Sequence, residues 1–345
     1  MAKNFLGKGE YGEVIKDGQY AVKKFNRLSS FINEVFVTKY VSGLPYVISI
    51  KGCKAYNLTM RMDLWHTSLD KIVNKLNQLQ KQSIYICILK ALESLESRYI
   101  VHADLKLSNI LVNSTYDKAI IADFGISSSS NTAKVRLTAP IASPEHAIAH
   151  RTHDGFSLVV LTLQLMYGYR PYGALPTRGH LRYVVNQYVK DTKMAKMLRG
   201  LVKDDLSKCL RVSDLLYNIY GIKVDCPRLK IEPNLTLDIE LDNMVQKHVD
   251  ILEKKYKFKR SSRCRYCSVS ILSRLKINDR KQKIYVTTMA YIFACVFEFT
   301  EILDRDKRMS SDDVSKYANC TEEEMLNCIN TILKTKDIIN WMFAP

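Results

Sequence analysis

An α+β fold followed by a separate all-α domain is what this 345-residue sequence predicts, on three observations. β-rich runs joined by a turn open the chain. A stretch with two prolines and no helical period, residues 222–238, interrupts it about two thirds of the way along. Beyond that stretch the apolar residues recur at helical spacing. Domains are therefore expected at 1–221 and 239–345, with 222–238 as the linker.

The opening "FLGKGEYGEVIKDGQYAVKKF" contains two β-rich runs joined at Lys16-Asp17-Gly18, a hairpin turn by its residue types. Gly7, Gly9 and Gly12 form G-x-G-x-x-G within it. Dinucleotide folds use the same spacing, but there it joins a strand to a helix, whereas strand stands on both sides here. A glycine-rich hairpin followed by "AVK" resembles the protein kinases, and the family's remaining motifs follow in its order over residues 1 to about 221.

The resemblance implies a bilobal fold binding ATP and Mg2+. Leu6, Gly7, Gly9, Gly12, Val14, Ala21, Met60 and Leu111 would surround the nucleotide. Lys23 would hold its α and β phosphates, oriented by Glu34 of "SSFINEVFVTKYV" across an interval that is short for the family. In "HADLKLSN", Asp104 takes the place of the catalytic base and Lys106 that of the γ-phosphate lysine, which matches the serine/threonine branch. Asn109, with Asp123 of "DFG", takes the place of the metal ligands. "SPE" at 143–145 resembles the end of the activation segment, Asp154 of "HDGFSL" the buried brace of the catalytic loop, and Arg211 the ion partner of Glu145.

The family's His-Arg-Asp reads His102-Ala103-Asp104 here. Its arginine gathers a phosphorylated activation-loop residue, so Ala103 implies altered control and leaves the bond-making positions intact. Hydroxyls in "SSSSNT" at 127–132 and at Thr138 nevertheless offer phosphorylation sites.

In the last third, Leu241, Met244, Val245, His248 and Leu252 share one helix face, and Cys264, Cys267, Ile271 and Leu275 share another. "SSDD" from Ser310 and "TEEE" from Thr321 are capping boxes. About five helices are expected. Their layout resembles a cyclin box, with "YVTTMAYIFACVFEFTEI" as its central helix. Val296 and Ile329 stand where that family has the lysine and acid that grip a kinase partner. The basic run "KKYKFKRSSRCR", residues 254–265, reads as a polar helix face or a nucleic-acid patch.

Composition narrows the setting. A formal charge of +17 favours acidic partners or nucleic acid. Nine scattered cysteines suggest reduced thiols in an intracellular protein of cytoplasm or nucleus, and the "CRYC" pair lacks a second pair for zinc. The most apolar run, from Ile284, carries Glu298 and Glu301, so no membrane association is expected. The compact layout would suit a large DNA virus. The expected function is phosphoryl transfer from ATP to serine or threonine of protein substrates, with the cyclin-like domain contacting and regulating the kinase domain in the same chain. A pseudokinase scaffold and a cyclin mimic recruiting a host kinase are the alternatives.

Overall fold

The computed structural model describes residues 4–129, 151–171, 176–224, 239–256, 261–277, 279–297 and 309–343. Its strands are β1 (Phe5–Gly9), β2 (Gly12–Asp17), β3 (Tyr20–Phe25), β4 (Ile50–Lys54), β5 (Thr59–Asp63), β6 (Thr67–Ser68), β7 (Ile100–Val101), β8 (Ile110–Val112), β9 (Ala119–Ile121) and β10 (Ser128–Ser129). The first helices are α1 (Leu28–Val41), α2 (Gln78–Ser97), α3 (Arg151–Tyr167), α4 (Arg178–Tyr188), α5 (Thr192–Leu201) and α6 (Val212–Tyr220). They are followed by α7 (Ile239–Tyr256), α8 (Ser261–Leu275), α9 (Asp279–Phe297), α10 (Ser311–Ala318), α11 (Glu322–Lys334) and α12 (Lys336–Phe343).

The chain divides into two compact units. One comprises Met1–Tyr40, Ile50–Met62 and Leu229–Pro345; the other comprises Val41–Ser49 and Asp63–Arg228. The C-terminal helices thus cluster with the N-terminal sheet, although 222–238 separates them in sequence.

In the first unit the strands lie in the order β1-β2-β3-β5-β4. Asp17 pairs with Tyr20, so the β2–β3 turn is Gly18-Gln19, one step later than its composition suggested. Gly18 takes the left-handed φ of 60° that such a turn needs. Gly12 is required for another reason: a Cβ there would lie 2.0 Å from the Lys24 carbonyl oxygen on β3. Only two residues separate β3 from α1. Phe25 and Phe31 meet edge to face across that short connection, with centroids 5.6 Å apart.

Every residue of α1 from Phe31 to Thr38 is buried, so the helix is covered on all sides. Some of that cover is C-terminal. Tyr40 stacks on Phe343 of α12 with centroids 4.5 Å apart, and Phe297 of α9 packs on the same Phe343 ring at 5.2 Å. Beside it α11 packs on the short turn Ala55–Asn57, where the Asn330 side chain accepts the Ala55 N–H at 2.9 Å.

Helix α9 forms the centre of the C-terminal group, packing on α7, α8, α10 and α11. Both capping boxes are present, Ser310 with Asp313 and Thr321 with Glu324. Six helices are described where five were expected, because the chain breaks at Thr335 and restarts as the short α12. Leu275 departs from its expected buried face: it ends α8 and is exposed, next to Lys276 at φ 48°. Cys264 and Cys267 are fully buried on α8, and burial pushes the Cys267 thiol up to about 12. Val296 and Ile329 are fully buried as well. In the basic run, Arg265 is forked onto Asp242 and Arg263 is half-buried; residues 257–260 lie outside the described residues.

The second unit is helix-rich, with α2 and α3 at its core through Ile88, Leu92, Phe156 and Leu163. Two small sheets, β6-β8-β9 and β10-β7, carry its loops. Helix α6 ends on Gly221 at φ 69°, a left-handed stop before the expected linker, of which 225–238 lie outside the described residues. No described helix is long and apolar enough to cross a membrane.

Truncating Phe343 to alanine should cost about 3–5 kcal/mol of stability, since it empties a site shared by α1, α9 and α12. Thr321→Ala, which removes only a cap, should cost about 1 kcal/mol. Urea unfolding of the two variants measures the contrast.

Candidate active site

Lys23 lies on β3, where alternation turns it inward between exposed Lys24 and half-buried Val22. Its ammonium meets both carboxylate oxygens of Glu34, at 2.8 and 2.7 Å, with the two side chains 9% and 2% exposed. The short interval that the sequence raised as unusual is met by the two-residue connection, which starts α1 at once. Nearby in the same unit Met60 and Ala21 are buried, Val14 and Gly7 half-buried, and Leu6 and Gly9 exposed.

The second unit holds the other candidate groups on the segment from β7 to β9. Lys106 Nζ donates to Asp104 Oδ2 at 2.7 Å, and Asn109 Nδ2 donates to the same oxygen at 2.9 Å and to the Asp104 carbonyl at 2.8 Å. Both side-chain donors fall on the one oxygen, Oδ2. Asn109 in turn accepts the Ala122 N–H through its backbone carbonyl at 2.9 Å, which ties it to the strand end that carries Asp123. Leu111 is half-buried on β8.

This segment is held in a strained form. Ala103 and Asp123 take φ of 65° and 69°, left-handed values that cost a non-glycine residue on the order of 1–2 kcal/mol. The Asp154 carboxylate holds the first of them. Its two oxygens accept the backbone N–H of His102 at 2.8 Å and of Ala103 at 2.9 Å. Burial pushes the Asp154 carboxyl up, against the lowering effect of His102 and of these two amides. The His102 ring closes the network: its Nδ1 accepts the Asp104 N–H at 3.2 Å, so the ring N–H is at Nε2, 3.0 Å from the Ala122 carbonyl. Phe124 packs edge-on against that ring at 5.0 Å.

Sequence reasoning missed two elements of this network. Ser127, taken with the exposed hydroxyls of the activation segment, is buried and donates its Oγ proton to the His102 carbonyl at 2.8 Å. That corrects its reading as a phosphorylation site. The His102 ring's role was also missed, because it depends on pairing with Ala122, twenty positions away. Arg211 pairs with Glu96 at 3.0 Å; its expected partner Glu145, with Ser143 and Thr138, lies outside the described residues.

The donors fit the cofactors that the motifs imply. Among the described residues no group of three or more His, Cys, Asp or Glu could hold a metal alone. Mg2+ typically takes one or two protein oxygens and completes its shell with phosphates and water, so one amide oxygen from Asn109 and the Asp123 carboxylate are a suitable set.

Comparison with known proteins agrees with this chemistry. The profile of the protein kinase domain matches residues 2–222. The chain belongs to the protein kinase family, its sheet-rich and helix-rich regions being those of the two-lobed kinase fold. A protein of Acanthamoeba polyphaga mimivirus named as a serine/threonine-protein kinase is 36% identical over 139 residues, 36% of this chain and 25% of that protein. Serine/threonine-protein kinase pakF of Dictyostelium discoideum is 26% identical over 281 residues, 72% of this chain and 24% of its own length. Serine/threonine-protein kinase 1 of Heliothis zea nuclear polyhedrosis virus is 26% identical over 164 residues, 46% and 54% of the two chains. This chain therefore spans about a quarter of the first two relatives and about half of the third.

Asp154→Asn should destabilise the chain by on the order of 1–3 kcal/mol, because an amide can accept from only one of the two backbone N–H groups and turns a donor toward the other. Thermal unfolding reads the loss.

Proposed function

We propose that this protein is an ATP- and Mg2+-dependent protein kinase acting on serine and threonine, with its C-terminal helices serving as a cyclin-box-like module that acts in cis. The observation that carries the catalytic reading is the fixing of Asp104 by Lys106 and Asn109 through one carboxylate oxygen, with the other left for the acceptor. Asp104 would orient the substrate hydroxyl and take its proton as the hydroxyl oxygen bonds to the γ-phosphorus and the bridging P–O bond breaks, releasing ADP. Lys23, kept in place by Glu34, would hold the α and β phosphates. Asn109 and Asp123 would hold the metal, which neutralises phosphate charge. Lys106 would contact the γ-phosphate, and the names of the relatives support serine/threonine as the acceptor class.

The C-terminal module is read as an activator because it covers the helix that bears Glu34. Ala103 offers no charge to an activation-loop phosphate, so this cover takes the role that phosphorylation plays elsewhere in the family. The eight described cysteines are free thiols, which suits the cytoplasm or nucleus.

Transfer of radiolabelled phosphate to a mixed panel of acidic and basic proteins tests the activity. Asp104→Asn should lower kcat by on the order of 10² or more while nucleotide still binds. A parent chain no faster than this variant would leave a scaffold as the function. Asn330→Ala and Phe343→Ala, assayed below their unfolding temperatures, should lower kcat with little change in the folded fraction. Phosphatase treatment of the parent should leave the initial rate nearly unchanged.

A further inference from the structure

Helices α4 and α5 pack on each other in the second unit and present an outer face that no step of the catalytic reading uses. Leu181, Val184 and Val185 of α4 are buried, as are Met194, Met197 and Leu198 of α5. That leaves Lys193, Lys196 and Arg199 to recur every three residues along the outer side of α5, the first two exposed and the third half-buried. They span about 9 Å of helix axis. Lys190 and Lys203, both exposed, extend the row at its two ends.

The acids nearby are already engaged. Asp191 caps α5, accepting the backbone N–H of Lys193 and Met194 at 2.8 and 2.9 Å. Asp204 is forked onto Arg182 at 3.0 and 2.7 Å, and Asp205 accepts the Ser207 N–H and pairs with Lys208 at 3.1 Å. Among the described residues neither Lys193 nor Lys196 has a carboxylate partner, so their charges stand uncompensated. Arg199 is held at the junction of the two helices by the Asn186 side-chain oxygen, which takes one of its five N–H donors. One turn before Asn186, Tyr183 is 61% exposed; Tyr188, also exposed, stands edge-on to Tyr169 with centroids 5.5 Å apart. Asn186 and Gln187 complete the exposed side of α4, and no aliphatic side chain is exposed on either helix.

We propose that this face binds single-stranded nucleic acid, with the α5 cations on its phosphates and a base stacked on Tyr183. The row is long enough for two or three phosphates, at about 3.4 Å each along a stacked strand. An exposed aromatic ring beside such a row takes an unpaired base of any sequence, whereas the bases of a duplex are already stacked on one another. A membrane surface would need Leu, Phe or Trp to insert beside the lysines, and the exposed side of these helices carries none. An acidic protein would satisfy the lysines and leave the Tyr183 ring unmatched. The binding uses none of the groups assigned to ATP, metal or acceptor, so it is independent of the kinase reading. It would carry the enzyme to proteins assembled on the same strand.

Fluorescence anisotropy of the full chain with labelled oligo-dT and oligo-rU, over a range of salt concentrations, tests the site. A mixed-sequence duplex, polyglutamate and phosphatidylserine vesicles serve as competitors. Lys193→Glu/Lys196→Glu should weaken binding at least tenfold and flatten the slope of log K against log salt by about 1.4, two phosphate contacts at about 0.7 each. Tyr183→Ala should weaken it about tenfold, and Tyr183→Phe, which keeps the ring, should restore it. Lys254→Glu/Lys281→Glu makes the same charge change on exposed positions of α7 and α9 and should alter binding less than threefold. Oligonucleotide carrying 5-bromouracil should photo-cross-link to the peptide that contains Tyr183. All of these positions are exposed, so thermal unfolding and transfer to a peptide substrate without nucleic acid should match the parent. Undetectable binding, an equal loss in the α7/α9 control, a Tyr183→Phe variant as weak as Tyr183→Ala, or competition by duplex, polyglutamate or vesicles as strong as by unlabelled oligo-dT would overturn the proposal.

Discussion

The buried pair of Lys23 and Glu34 is the constraint on which the first unit depends. Removing an ammonium and a carboxylate from water costs several kcal/mol for each ion, and their attraction offsets this only with close, complete contacts. Both carboxylate oxygens lie within 2.8 Å of the ammonium, so the geometry satisfies that requirement. It holds only while α1 stays where it is. Phe31 against Phe25 fixes one end of the helix, and Tyr40 against Phe343 fixes the other. Displacing α1 would separate a pair of opposite charges in a poorly hydrated site, so the aromatic contacts and the ion pair support one another.

A second carboxylate plays the corresponding role in the other unit. Asp154 acts on the backbone N–H groups of His102 and Ala103, which explains why an alanine at 103 is compatible with the geometry of the segment. What the network uses at position 103 is its amide. The side chain there is free to be a methyl group, buried at 6% exposure, without moving Asp104. A substitution that looks severe in the motif is therefore silent in the local geometry and affects only what a longer, charged side chain would have bound.

Much of this was legible in the sequence because it is local or ordered along the chain. The glycine hairpin, the Lys23–Glu34 pairing, the Asp104 segment and both capping boxes depend on residues at most a few turns apart or on motifs arriving in sequence. The contacts that were not legible are distant. Asn330 meets Ala55 across 275 positions, and nothing in "CINTILK" marks that asparagine out. Phe343 reads as one of several apolar residues in a short final helix, yet its ring is the one that Tyr40 covers. Ser127 misled for the opposite reason: four consecutive serines look like a polar surface loop, while the first is turned inward to satisfy the His102 carbonyl.

If the C-terminal helices are the activator proposed above, their place on the same chain changes what regulation can act on. A separate partner shifts the population of an inward helix only as far as its concentration and differential affinity allow. A tethered one sits at an effective concentration of roughly millimolar, so a ring stack and one side-chain hydrogen bond are enough to hold α1. On that reading the helix would have little outward population for a loop phosphate to correct, and a phosphate-gathering residue at position 103 would have no equilibrium to bias. Control would then fall at a step that tethering does not saturate, such as which proteins reach the active site.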